Sequence, residues 1–94
     1  MTMIYKYPLK DARTQILGLP AGSKILSAIA QYGFVVLYVL ANVTNEGKKP
    51  DDYIISLLPT GTRCEAAKPE EFIDTVSLDE GRYILHVFAR REGA

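Results

Sequence analysis

Eight consecutive apolar residues, Phe34-Val35-Val36-Leu37-Tyr38-Val39-Leu40-Ala41, constrain this chain more than any other feature. The run falls far short of the roughly 20 residues that span a bilayer. It is rich in β-branched and aromatic side chains and is bounded by Gly33 and Asn42, which favours a strand. A strand sends alternate side chains to opposite faces, so a run apolar on both faces is expected to be central and covered on both sides. The cover is expected from a second sheet or from another subunit.

The flanking sequence reads as strands of the half-buried kind. Residues 3–9 place Met3, Tyr5, Tyr7 and Leu9 on one face and Ile4, Lys6 and Pro8 on the other, with Pro8 suited to an edge or a strand end. Residues 13–19 form a second strand, closed by the turn Pro20-Ala21-Gly22-Ser23. Residues 24–32 fit a short helix capped by Ser23 or a strand; so short a helix nucleates poorly, and Tyr32-Gly33 suits a tight hairpin, so a strand is expected. Asn42, Asn45, Gly47 and Pro50 mark an exposed loop, and residues 53–58 a fifth strand. Residues 59–71 lack periodicity, with one helical turn expected at Pro69. Residues 72–78 and 83–89 form a last hairpin across Asp79-Glu80-Gly81-Arg82, ahead of a frayed tail from Arg90. The expected fold is all-β: a small antiparallel sandwich or partly open barrel of about seven strands, one domain over residues 1–94.

Composition excludes several classes of function. With 48% hydrophobic and 23% charged residues the chain has ordinary globular usage. Eleven basic side chains cancel eleven acidic ones, so no overall field recruits nucleic acid or an anionic membrane. One histidine, His86, and one cysteine, Cys64, cannot build a zinc site or a disulfide within one chain. There is no G-x-S-x-G elbow, phosphate loop or G-x-G-x-x-G, so no catalytic residue, metal or cofactor is assigned. The absence of an apolar leader points to the cytoplasm. Residues 1–49 carry six basic and two acidic side chains, residues 50–94 five and nine. Interleaved strands would scatter that asymmetry; otherwise it would suit head-to-tail contact between subunits.

Four motifs in order carry a family resemblance: Ile4-Tyr5-Lys6-Tyr7-Pro8-Leu9, then Leu19-Pro20-Ala21-Gly22-Ser23-Lys24-Ile25-Leu26, then the loop at Thr60-Gly61, then His86-Val87-Phe88. In this the chain resembles a family of short proteins of tailed phages and prophages, of unknown function. Where that family resembles Gly-Thr-Gly-His-Pro, this chain has Pro59-Thr60-Gly61-Thr62-Arg63, so no role of the loop histidine carries over. The resemblance implies a phage protein in a bacterial cytoplasm and no particular activity.

The candidate ligand site is the loop itself. The hydroxyls of Thr60 and Thr62, the backbone of Gly61 and the guanidinium of Arg63 could surround a phosphate or carboxylate, though the same residues also punctuate plain surface loops. Of the six tyrosines, Tyr53 begins the strand that leads into this loop and is the candidate to stack on a base. His86 shares a face with Ile84 and Phe88, with Thr75 opposite it in a plausible register; hydrogen-bonded packing is its plainest role. Arg90 and Arg91 would form a basic patch with Lys6 and Lys10 if the first and last strands paired. The functional expectation is a non-enzymatic phage counter-defence protein, a homo-oligomer that sequesters a small nucleotide immune signal. The alternative is an inhibitor or accessory factor that binds a host defence or phage protein through a sheet face or edge.

Overall fold

Alternation and turn chemistry resolve into seven strands: β1 (Thr2–Pro8), β2 (Thr14–Leu19), β3 (Lys24–Gln31), β4 (Phe34–Asn42), β5 (Asp51–Pro59), β6 (Phe72–Leu78) and β7 (Tyr83–Arg91). The structure is a computed structural model describing residues 1–65 and 67–93. Among the described residues the only helical segments are single 3-10 turns, one of them at Pro69 as expected. Two antiparallel sheets form, with strand orders β1-β4-β3 and β2-β5-β7-β6. Residues 24–31 are a strand because β4 needs a neighbour on each side. The β3–β4 hairpin closes on Tyr32 (φ 52°) and Gly33 (φ 81°), the two-residue turn whose twist matches its strands.

The apolar run lies at the centre of the three-stranded sheet. Its inner side chains Val35, Leu37, Val39 and Ala41 are buried, and three of them pack in one cluster with Leu19, Ile55, Leu57, Val76 and Val87 of the second sheet. The outer face differs from the expected full cover. Val36 is sheltered by its neighbours at 3% exposure, yet Phe34 is 55%, Ile4 61% and Ile29 41% exposed. A second sheet thus covers one face of the run, and the other face is open in the single chain.

The two sheets meet along β3 and β6, the edge strands that lie side by side. Each carries a bulge there, between Ile25 and Ser27 and between Phe72 and Asp74. A bulge raises local twist and interrupts a ladder. The Asp74 carboxylate bridges the gap, accepting the Ala28 N–H at 3.3 Å and the Thr75 N–H at 2.9 Å. A side chain, not a backbone ladder, joins the sheets at this seam, so the fold is a sandwich and not a closed barrel.

The Pro20–Ser23 turn is anchored from the far side of the chain. Asp51 accepts the Gly22 N–H at 3.0 Å, Asn45 donates to the Ala21 carbonyl at 2.8 Å, and the Ser23 hydroxyl donates to the Pro20 carbonyl at 2.6 Å. The Tyr53 hydroxyl donates to the Ser23 carbonyl at 3.4 Å.

Three expectations are corrected. The tail from Arg90 is not frayed: β7 runs to Arg91, Tyr53 pairs with Arg91, and the Glu92 N–H donates to the Asp52 carbonyl at 2.8 Å. The early start of β5 at Asp51 provides that partner. The first and last strands do not pair, because β7 is inserted between β5 and β6. Nor do the two halves of the chain interleave evenly. The three-stranded sheet comes entirely from residues 2–42, and of the four-stranded sheet only β2 comes from that half.

Tyr7 and Tyr5 sit on the inner side of β1. Burial raises the Tyr7 pKa above 10.0; burial first, then the nearby Glu46, raises that of Tyr5. A proton held more tightly in the folded state favours folding fully below the unfolded pKa and loses that effect as pH climbs through the folded one. Chemical denaturation at rising alkaline pH is therefore expected to show stability falling above about pH 10, with a shallower fall in Tyr7→Phe.

Candidate functional site

β5 and β6 run in the same direction with β7 between them, so the chain from Thr60 to Glu71 must travel back across the sheet. A connection between strands of equal sense takes about a dozen residues, and this one passes over the outer face of the four-stranded sheet. Its start is a turn in which the Thr62 N–H donates to the Pro59 carbonyl at 3.2 Å, with Gly61 at φ 85°. That positive φ is the physical reason for glycine here. Further along, Arg13 reaches from the start of β2 to donate to the Arg63 carbonyl at 3.0 Å.

His86 clasps the start of the crossover to the sheet. Its Nε2 lies 2.8 Å from the Thr60 hydroxyl and its Nδ1 lies 3.0 Å from the Thr75 hydroxyl. Thr75 stands opposite His86 in the ladder, as the sequence register predicts. A hydroxyl both donates and accepts, so two threonines hold either tautomer of the imidazole. With both ring nitrogens engaged and Asp74 turned toward β3, His86 has the geometry of a packing clasp.

Between the crossover and the sheet lies a cleft of about 260 Å³. Ile54, Ser56, Leu58 and Phe88 line it from the sheet, and Arg13, Arg63 and Arg90 are among its other lining residues. Glu65 and Glu71 line it as well, and Glu65 lies 3.9 Å from Arg63 in solvent. Phe88 is fixed edge-on to Phe72, ring centres 5.6 Å apart. A larger hollow of about 680 Å³ opens at the end of the sandwich, lined by Leu9, Val35, Leu57 and Leu85 with Phe34 and Tyr83. Its walls are mainly apolar, with Lys10, Asp11 and Asp79 among its lining residues.

Of the six candidate residues, Arg63 lines the cleft, and Thr60 with His86 secures the loop beside it. Gly61 and Thr62 shape the turn. Tyr53 does not join them. It belongs to the inner face of β5, packed against the core near the opposite end of the strand. The sequence reading missed Arg13 and Phe88. Phe88 was visible as an outer-face partner of His86; nothing local to Arg13 reveals that β2 starts beneath the crossover. Among the described residues no group of three or more His, Cys, Asp or Glu could hold a metal ion, and no helix is long and apolar enough to cross a membrane.

The fold and site together define a small two-sheet β-sandwich with an arginine-rimmed cleft under a crossover loop. The chain belongs to the family described as Domain of unknown function (DUF7352), which it matches over residues 1–94. No curated protein and no solved structure matches it.

Proposed function

We propose that this chain is a non-enzymatic binding protein that sequesters a small nucleotide-like anion in the cleft beneath the crossover. The observation that supports this reading is that Arg13, Arg63, Arg90 and Phe88 all line one cleft. Guanidiniums recognise phosphate oxygens through forked, charge-assisted hydrogen bonds, and an aromatic face accepts a base. Phe88 takes the stacking role first assigned to Tyr53. In the phage setting that the sequence resemblance implies, the ligand is an immune signal of the bacterial host, bound in its cytoplasm, and the protein acts in counter-defence. The exposed Ile4, Ile29 and Phe34 on the outer face of the three-stranded sheet favour a second reading, an inhibitor or accessory factor that covers this face with a host protein.

Native mass spectrometry of the protein with pooled cyclic and ADP-ribose-type nucleotides tests the first reading. A bound nucleotide of unchanged mass is expected, with affinity about tenfold weaker in Arg63→Ala. A nucleotide of altered mass would show turnover, and binding unaffected by Arg63→Ala would place the ligand elsewhere. No binding across the pool would overturn the nucleotide reading.

A further inference from the structure

Four edge strands bound the two sheets, and three of them carry a feature that obstructs pairing with a foreign strand. β3 and β6 face each other along the seam, each with a bulge, and Asp74 occupies the Ala28 N–H. β1 is free along its length, but its outward set includes Pro8, which has no N–H, and Lys6. The Leu9 N–H donates to the Val35 carbonyl, so odd-numbered residues of β1 pair with β4 and even-numbered ones point away. Pro, Lys and bulges are the usual guards of exposed edges.

β2 has none of these. Its six residues, Thr14-Gln15-Ile16-Leu17-Gly18-Leu19, hold no charge, no proline and no bulge. The Leu57 N–H donates to the Arg13 carbonyl at 2.8 Å, which sets the phase of the β2–β5 ladder. Residues 13, 15, 17 and 19 pair inward, and the backbone N–H and C=O groups of Thr14, Ile16 and Gly18 point out from the edge. Ile16 stands at the middle of this edge with 65% of its surface exposed.

We propose that β2 is the surface at which a second copy of this chain docks, antiparallel and about a twofold axis, joining two four-stranded sheets into one. Paired strands keep their faces aligned, so the axis lies midway between one residue and its own copy and sets the two opposite each other. Centring on Ile16 pairs Thr14 with Gly18 of the other copy and uses all three outward residues on each side, about six backbone hydrogen bonds. Centring on Leu17 would set Thr14 against Pro20, which has no N–H to give.

Self-pairing suits this edge because a twofold axis sets like against like at its centre. An uncharged centre meets no repulsion, whereas a pairing of β1 centred on Lys6 would bring lysines together. The ends of β2 are complementary. Arg13 precedes it, and Asp52 lies beside Gly18 on β5, its Oδ1 about 3.4 Å from where a Gly18 side chain would begin. The twofold brings the Arg13 end of one copy to the Asp52 end of the other, two strand spacings or about 10 Å across, within reach of an arginine side chain. Arg13 and Thr14 also line the cleft, so both clefts open on one face of the joined sheet, close to the axis.

Sedimentation equilibrium across a wide range of protein concentration, with amide exchange by NMR, tests the proposal without any ligand. The wild-type chain is expected to form dimers, with protection at the amides of Thr14, Ile16 and Gly18 rising with concentration. Ile16→Lys places a charge at the axis and is expected to weaken association roughly 10–100-fold while circular dichroism stays unchanged. Ile4→Lys, on the outer face of the other sheet, is expected to leave association intact. A wild-type chain that stays monomeric would overturn the proposal. So would dimers in which those three amides exchange freely, or dimers that dissociate with Ile4→Lys and persist with Ile16→Lys.

Discussion

Leu37→Ala is expected to remove about 2–5 kcal/mol of folding stability. Leu37 is fully buried at the middle of β4, flanked by Tyr7 on β1 and Ala28 on β3. It packs in one cluster with residues of the opposite sheet, so truncation opens a void between two sheets that are each held by their own ladders. Backbone pairing limits how far either sheet can move in to close that void, and cavity costs are highest where the surroundings cannot collapse. A domain of this size has about 5–10 kcal/mol in total, so the variant would lose a large share of it. Urea denaturation should show a lower midpoint with little change in slope. Leu37→Met keeps the volume and is expected to cost less than about 1.5 kcal/mol, which separates the void from a general intolerance of change at this position.

Asp74→Ala is expected to cost about 1–3 kcal/mol and to act on the seam. Its carboxylate accepts two backbone N–H groups, one within β6 and one from the edge of β3. Truncation leaves both without that partner; the Thr75 N–H is exposed and can turn to water, but Ala28 is buried, and an unsatisfied buried donor costs about 1–3 kcal/mol. The Ala28 amide should lose exchange protection, while amides at the centre of the β4 ladders keep theirs. Asp74→Asn retains one acceptor oxygen and is expected to recover part of the loss. Equal loss of protection throughout both sheets would mean that the seam does not open separately from the core.

The strands were legible because their signal is local. Alternation along β1, the apolar run in β4 and the Tyr32-Gly33 pair each specify backbone geometry within a few residues, and the strand ends fall within two residues of those expected. The register of His86 against Thr75 was legible for the same reason, since a hairpin fixes its own ladder. Tyr53 shows where local reading stops. Its place just before the Thr60 loop suggested proximity, but a strand of nine residues carries its two ends about 30 Å apart, and alternation turned Tyr53 to the inner face. The signal for Arg13 lay in the topology, not in its neighbours along the chain.

Sequence by itself determined an all-β chain, the places of its turns, the turn glycines at positions 22, 33, 61 and 81, and the absence of any built-in metal or nucleophile motif. These follow from side-chain period and backbone sterics, which act over a few residues. Tertiary structure alone decided that β7 enters between β5 and β6, and with it that the segment joining β5 to β6 must cross the sheet face. That insertion assembles the cleft from Arg13, Arg63 and Arg90, residues separated by as many as 77 positions in the chain. It also decided which edges remain free, because pairing partners are chosen by burial across the whole sandwich and not by any one strand.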